Sequence, residues 1–194
     1  MKYERELGEA TWLDALRTAL WVLEYTMGVL DAPKVAERAL ARYRGVEEEK
    51  MVRRARAWFA SHVLRHVCEA GRRAVHEHKA AGDLVAIVTG ATPYVAIPLA
   101  EELGIEHVVA SELEVEGGRL TGKPCYPLCY GEGKVARAER LAREQGFDLH
   151  QSTFYTDSLS DLPLLEQVAH PVLVNPDWRL RRVGARRGWR VERW

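Results

Sequence analysis

Two aspartates four positions apart are the first candidates for chemistry in this chain. In the stretch FYTDSLSDLPLLEQV, residues 154–168, an apolar run ends at Asp157 and Asp161 stands where a helical run begins. Strand ends in open α/β sheets face the ligand crevice, and a pair of carboxylates there can hold a hard divalent cation. Asp161, or Ser160 beside it, has a plainer alternative as a helix cap. Capping does not explain Asp157, because a carboxylate that ends a buried strand is costly unless it is paired or metal-bound.

A threonine and a glycine form a second candidate group. In LVAIVTGATPYVAIPLAEELG an apolar strand pattern ends at Thr89 and Gly90, and Pro93 suits the first turn of the helix that follows. The hydroxyl, the glycine and the helix amino terminus together favour an anion such as phosphate. A lysine, Lys134, follows a glycine-flanked turn in YGEGKVARAERLAREQG and opens an amphipathic helix. We expect its side chain to be exposed there and to contribute little to stability.

The patterns that position these residues divide the chain in two. Residues 9–82 carry apolar positions at helical spacing, which predicts several consecutive helices. Residues 83–194 alternate apolar runs with helical segments, which predicts a parallel α/β sheet; the runs are LVAIVTG, HVVAS, STFYT, HPVLVN and WRVER. Two short alternating runs around a Gly-Gly pair predict a β-hairpin near residues 112–121.

Composition narrows the class of protein. Lys plus Arg and Asp plus Glu each total 28 in 194 residues, so no overall basic excess points to nucleic acid. The carboxyl-terminal WRLRRVGARRGWRVERW is arginine-rich, but an amphipathic helix followed by an edge strand explains it more simply than RNA binding. No apolar run is long enough to span a bilayer and the first residues lack a signal-peptide core, so we expect a cytoplasmic protein without membrane partners. The sequence is compatible with a homodimer.

A second metal site is a weaker alternative. His62 and His66 stand four apart, with Cys68 two positions further on, but no fourth ligand is evident. Cys125 and Cys129 likewise lack the second pair that a tetrahedral zinc site needs. We therefore expect helix-face residues and free thiols rather than zinc ligands.

The order of these motifs resembles a known enzyme family. The segments TGATPYVAIPLAEELGIEHVVASELEVEGGRLTGK, GEGK and YTDSLSDLPLLEQVAHPVLVNPD are similar to the last three motifs of the haloacid dehalogenase (HAD) superfamily, in its phosphoserine-phosphatase-like branch, subfamily IB. The resemblance implies a Rossmann-like parallel core at 83–194 and an amino-terminal helical cap at 9–82. It also implies a Mg²⁺-dependent phosphatase that acts on a small phosphorylated metabolite through an aspartyl-phosphate intermediate.

The resemblance assigns roles to the candidate residues. Thr89 and Gly90 would bind the phosphoryl oxygens, and Lys134 would offset charge on the phosphoryl group and the nucleophile. Asp157 would ligate Mg²⁺, and Asp161 would ligate it as well or hold its waters and Lys134. Without the metal, we expect the two carboxylates to repel each other.

The family's first motif, a strand ending in Asp-x-Asp-x-Thr that supplies the nucleophile, has no counterpart in this sequence. Because that strand lies in the middle of the family's sheet, its loss would orphan buried backbone groups at roughly 1 to 3 kcal/mol each. We therefore expect an amino-terminally incomplete phosphatase that is weakly active or inactive as given. The alternative is a catalytically dead module that binds phosphate or a partner.

Overall fold

The computed structural model describes residues 32–194, with side chains from residue 37 onward. Its first described part is helical, and the helices are α1 (Ala32–Ala41), α2 (Glu48–Trp58) and α3 (Glu69–Ala80). Residues 9–31 of the predicted helical region lie outside the described residues. Whether 9–82 forms a cap separate from the core therefore stays a prediction.

The histidine pair between α2 and α3 does not lie on one regular helical face. A π-helical turn over Phe59–Val63 and a 3-10 turn over Leu64–His66 interrupt the α-helical geometry there. His62 hydrogen-bonds to Ser61, and Cys68 accepts a bond from Gly71 N at 3.3 Å as the cap of α3. Within residues 32–194 no group of three His, Cys, Asp or Glu side chains is arranged to hold a metal ion.

The remainder of the chain alternates strands and helices, as its sequence predicts. Each of the five apolar runs contains a strand: β1 (Ala86–Val88), β2 (His107–Val109), β5 (Thr153–Thr156), β6 (His170–Val174) and β7 (Arg190–Glu192). The helices among them are α4 (Pro93–Leu103), α5 (Glu132–Gln145), the short α6 (Leu162–Leu165) and α7 (Trp178–Arg187). The α/β fold class is thereby confirmed.

The strands form two parallel sheets. Strand β1 pairs with β2, and β6 pairs with both β5 and β7. No ladder joins β1 to β5 within the part of the chain that the structure describes. Among the described residues, both strands line one cavity of about 850 Å³.

A β-hairpin follows β2. Strands β3 (Leu113–Glu116) and β4 (Arg119–Pro124) are antiparallel. Gly117 and Gly118 turn between them with φ of 55° and 74°, which suits a tight hairpin that needs positive φ at both central residues. The segment before α2 bonds to this hairpin: Gly45 N donates to Leu120 O at 2.8 Å, and Leu120 N donates to Val46 O at 2.9 Å.

Helix α5 packs against residues of both β1 and β5. Val135 and Ala138 of α5 form a buried cluster with Leu164, and Val88 of β1 and Phe154 of β5 pack against it. This contact fixes the start of α5 relative to the carboxyl ends of both strands. None of the helices in residues 32–194 is both long and apolar enough to cross a membrane.

Candidate active site at the strand ends

The turn after β1 forms an open cradle. Thr89 N donates to Val109 O at 2.8 Å, which continues the pairing with β2, and the Thr89 hydroxyl oxygen accepts from Ala91 N at 3.1 Å. That hydroxyl can still donate its own hydrogen to an anion. A Cβ on Gly90 would lie 3.4 Å from the carbonyl oxygen of Cys129, so a side chain there would narrow the cradle. Helix α4 begins three residues later, and its amino terminus favours negative charge.

The Lys134 side chain is buried, which contradicts the exposed position expected from the sequence. It is 5% exposed, and its Nζ lies 2.5 Å from Asp161 Oδ1. Asp161 is equally buried, and its second oxygen accepts from the Thr156 hydroxyl at 2.7 Å. Burial was not foreseeable from the local pattern, because a lysine at a helix start is normally solvated.

Asp161 pairs with Lys134 and does not cap a helix. Its carboxylate makes no capping hydrogen bond, and the helix that follows, α6, has only four residues. Its negative charge is offset by the Lys134 ammonium group, so the repulsion expected between the two aspartates is largely removed. Asp157 is exposed, and no hydrogen bond or ion pair of its carboxylate with the other residues of 32–194 is observed.

The loop before α5 depends on residues to which the sequence motifs assign no role. A Cβ on Gly133 would lie only 2.1 Å from the Leu128 carbonyl oxygen, so helix and loop approach closely there. Arg137 Nε donates to Pro127 O at 2.7 Å, and its two terminal nitrogens reach Glu112 Oε1 at 3.0 Å and Cys125 O at 3.3 Å. The position of Arg137 three residues after Lys134 was the available signal, since both then lie on one helical face.

Cys129 is a structural residue of this loop. Its N–H donates to the Ser111 hydroxyl at 3.1 Å, and its Sγ lies 3.7 Å from Val109 O. Burial raises the pKa of the Cys129 thiol, although the nearby Lys134 and Arg137 charges act in the opposite direction. The thiol is therefore protonated at neutral pH and is a poor nucleophile.

All five predicted site residues line one cavity of about 680 Å³: Thr89, Gly90, Lys134, Asp157 and Asp161. They come from three segments that are as far apart as residues 89 and 161, and the parallel sheets bring them together at the strand ends. This cavity therefore contains hydroxyl and amide donors, one buried lysine and one exposed carboxylate.

The donor set suits a hard cation only in part. Mg²⁺ needs one or two carboxylates, completed by substrate phosphate and water. Asp157 meets the first requirement, because its carboxylate is exposed to the cavity. Asp161 is less available, because Lys134 and Thr156 already occupy its two oxygens.

A family model described as haloacid dehalogenase-like hydrolase matches residues 1–166. The chain belongs to this family. One relative is a histidinol-phosphatase of Neisseria meningitidis, which is 30% identical over 172 residues that cover 87% of this chain and 78% of that protein. The HAD-family chain is thus related to phosphatases.

Other relatives of the HAD-family chain are longer proteins. A phosphoserine phosphatase of Mycobacterium tuberculosis is 36% identical over 121 residues, or 62% of this chain and 39% of that protein. A further protein of that organism is 40% identical over 114 residues, which cover 59% of this chain and 39% of that protein. The chain thus spans well under half the length of these relatives.

Solved structures share the fold. A protein of unknown function from Bordetella pertussis Tohama I superposes with a TM-score of 0.87 at 29% identity, over 97% of this chain and 86% of that one. A substrate-bound phosphoserine phosphatase superposes with a TM-score of 0.65 at 19% identity, over 92% and 80% of the two chains. The second likeness concerns the fold alone.

Proposed function

We propose that this chain carries the site of a Mg²⁺-dependent phosphomonoester hydrolase of the phosphoserine-phosphatase-like branch, subfamily IB, which acts on a small phosphorylated metabolite. The observation that carries the proposal is the convergence of the Thr89–Gly90 cradle, buried Lys134 and exposed Asp157 on one cavity. Phosphoryl transfer depends mostly on positioning and on neutralising negative charge, and these groups supply both.

Each group has a distinct task in this proposal. The Thr89 hydroxyl and the amino terminus of α4 bind phosphoryl oxygens, and Gly90 keeps the approach open. Lys134 offsets the negative charge that gathers around the phosphoryl group. Asp161 binds the lysine amine, and the Thr156 hydroxyl donates to Asp161, so the cation is oriented before the substrate binds.

The metal would be held by Asp157. Held there, Mg²⁺ would supply positive charge that neutralises the phosphate. Asp161 would contribute indirectly, by fixing Lys134 or a metal-bound water.

The nucleophile would have to come from outside residues 32–194. The carboxylates of the described cavity lining are Asp157 and Asp161, which are assigned to the metal and to Lys134. The lack of a ladder between β1 and β5 in residues 32–194 supports this proposal, because an extended segment paired with both strands would end at the same strand ends as Thr89 and Asp157. A carboxylate at its last residue would then face the cradle.

An amino-terminal extension tests the proposal. A variant with an added apolar strand of about five residues ending in Asp-x-Asp-x-Thr should show Mg²⁺-dependent hydrolysis across a phosphomonoester panel. The matched control carries Asn in place of the first of these aspartates, and it should be inactive although equally folded. Inactivity of the extended protein on every ester, with its fold intact, would contradict the hydrolase assignment.

A second candidate function is a phosphate-binding or partner-binding module without turnover. The lack of a third carboxylate in the described cavity lining favours it. Isothermal titration with inorganic phosphate distinguishes the two candidates when it is combined with the extension experiment: binding with no turnover in any form supports the module.

The remaining expectations also stand as proposals. A cytoplasmic location is proposed, and none of the helices in residues 32–194 could span a membrane. No nucleic-acid or membrane partner is proposed. Sedimentation of the purified protein would decide whether it forms a homodimer.

A further inference from the structure

Helix α7 packs on the sheet through one apolar face. Leu180 is fully buried in a cluster with Leu165 and Leu173. A Cβ on Gly184 would lie 2.4 Å from a methyl carbon of Leu173, so the helix and β6 are in close contact there. Because Leu180 and Gly184 are four positions apart, they share one side of the helix. The opposite side of α7 is therefore turned outward.

The outward side of α7 carries a tryptophan and three arginines. The Trp178 side chain is 69% exposed, and Arg181, Arg182 and Arg186 are exposed as well. Helical geometry places these four residues on the side away from the sheet, over about 12 Å of the helix axis. The guanidinium carbon of Arg179 lies 5.4 Å from the centre of the Trp178 ring, a cation–π contact that orients the ring. We call Trp178, Arg181, Arg182 and Arg186 the arginine face.

The acids that adjoin α7 are engaged with other groups. Asp177 caps the amino terminus of the helix. Glu166 forms an ion pair with Arg187, and Glu192 lies 2.7 Å from Arg190. These three carboxylates therefore stabilise the fold around the arginine face.

The residue types of the arginine face suit an acidic protein partner. Tryptophan and arginine are the residues most enriched at the energetic centres of protein interfaces. A guanidinium group binds a carboxylate through two parallel hydrogen bonds. Arg182 and Arg186 are one helical turn, about 6 Å, apart, and a partner helix presents carboxylates at the same spacing when its acids are four positions apart.

We propose that the arginine face of α7 docks an acidic helical segment of a partner protein. Carboxylates of that segment bind Arg182 and Arg186, and one of its apolar side chains packs on the exposed Trp178 ring. The arginine face uses none of the proposed active-site residues, so binding there is measurable independently of phosphatase activity.

A nucleic acid fits the arginine face less well. Affinity for nucleic acid grows with the number of phosphates that a protein neutralises, and three arginines can neutralise only about three. Lys plus Arg and Asp plus Glu both total 28, so the whole chain adds no net positive charge to attract a polyanion. Oligouridylate is therefore the competing ligand in the experiment.

Fluorescence anisotropy with a labelled synthetic peptide tests the proposal on the chain as it exists. The probe is an alanine-based helical peptide with glutamates four positions apart and leucines on the same face, and the control peptide has glutamine at each glutamate position. The acidic peptide should bind about tenfold more tightly than the control. Equal affinities of the two peptides, no binding of either, or tighter binding of oligouridylate would overturn the proposal.

Two triple variants locate the binding surface. The first removes the arginines of the face: Arg181→Gln, Arg182→Gln and Arg186→Gln. The matched control removes the same charge from exposed arginines that pair with acids on their own helices: Arg53→Gln, Arg140→Gln and Arg143→Gln. The first variant should weaken binding of the acidic peptide by about tenfold, and the control should leave it nearly unchanged. Equal losses in the two variants would show that only net charge matters, and would overturn the proposal.

Trp178 tests the apolar part of the contact. Trp178→Ala should weaken binding of the acidic peptide several-fold, and Trp178→Phe should restore part of the loss, because a phenyl ring keeps an apolar surface. Both variants should melt near the wild-type temperature, since the side chain is 69% exposed. Unchanged peptide affinity in Trp178→Ala, with its fold intact, would contradict the assigned contact.

Discussion

Asp161 and Asp157 are four residues apart, yet they belong to two different regions of the site. Asp161 lies in a buried network in which Lys134 and Thr156 satisfy both of its oxygens. Asp157 lies on the open rim of the cavity, where its carboxylate is exposed. The comparison separates residues that build the site from residues that are available to a ligand.

The two regions should therefore respond to mutation in opposite ways. A buried ion pair is costly to break, because the remaining charge stays in a poorly solvated position. An exposed carboxylate is solvated with or without a partner, so its loss costs the fold little. Changes in the buried network should therefore alter the stability of the protein. Changes on the rim should alter how the protein responds to a ligand.

The largest effect is expected from Lys134→Met. The substitution leaves the Asp161 carboxylate buried without its cation, so the free energy of unfolding should fall by about 3 to 5 kcal/mol. Urea denaturation measures this change. The double variant Lys134→Met with Asp161→Leu should regain much of the loss, because an apolar pair replaces the two charges.

An exposed ion pair provides the control for this prediction. Arg140 bonds to Glu144 at 2.7 Å on the outer face of α5, and Arg140→Met should change stability little. Equal losses from Lys134→Met and Arg140→Met would show that the buried and exposed pairs do not differ, and would remove the basis of the comparison.

A smaller loss is expected from Gly133→Ala, which tests the close contact between α5 and its preceding loop. The new methyl group would lie 2.1 Å from Leu128 O, so the loop must shift, at a cost of about 1 to 3 kcal/mol. Phosphate affinity should fall as well, because Lys134 is the next residue. Gly71→Ala in α3 is the control: its methyl would meet the Trp194 ring at 3.2 Å, a milder contact, so a loss as large as that of Gly133→Ala would be unexpected.

A weaker, pH-dependent effect should come from Cys129. Burial raises the pKa of its thiol in the folded protein above that of the unfolded chain, about 8.5. Its contribution to stability is therefore complete below about pH 8.5 and is lost as pH rises through the folded pKa. The stability difference between wild type and Cys129→Ala should narrow over that range. The control is Cys68→Ala, because Cys68 is exposed. A stability difference between wild type and Cys129→Ala that stays constant with pH would contradict the prediction.

The smallest effect on stability is expected from Asp157→Asn. Its carboxylate is exposed, so the metal-free variant should melt at the wild-type temperature. Any rise in melting temperature that millimolar Mg²⁺ gives the wild type should disappear, because the acid proposed to hold the metal is gone. Thermal scans with and without Mg²⁺ measure both. An undiminished Mg²⁺ response in the variant would place the metal elsewhere.

The sequence alone predicts which residues lie at the strand ends. Apolar runs predict the strands, and parallel strands bring their carboxyl ends to one edge, so Thr89, Gly90 and Asp157 could be expected to share a cavity. This inference needs only local patterns and the geometry of a parallel sheet.

Burial and loop contacts could not be predicted in the same way. A lysine at the start of an amphipathic helix has the same local sequence pattern whether its side chain faces solvent or a buried acid. The side chain of Lys134 contacts a buried acid, Asp161, which lies 27 residues later. The Arg137 bonds and the Gly133 contact depend on the path of a neighbouring loop. Such features arise from tertiary packing, which periodicity does not record.

The bonds between residues 45–48 and the hairpin have a consequence for motion. Gly45 and Leu120 bond directly, Glu48 N donates to Gly118 O at 2.9 Å, and Arg119 donates to Gly45 O at 2.8 Å. Because this segment joins α1 to α2, the helices cannot swing away from the hairpin without breaking several of these bonds, each worth about 1 kcal/mol. Helix α1 and the hairpin should therefore move as one rigid body, and the part of the cavity wall formed by Ala39, Leu40 and Leu113 would keep its shape.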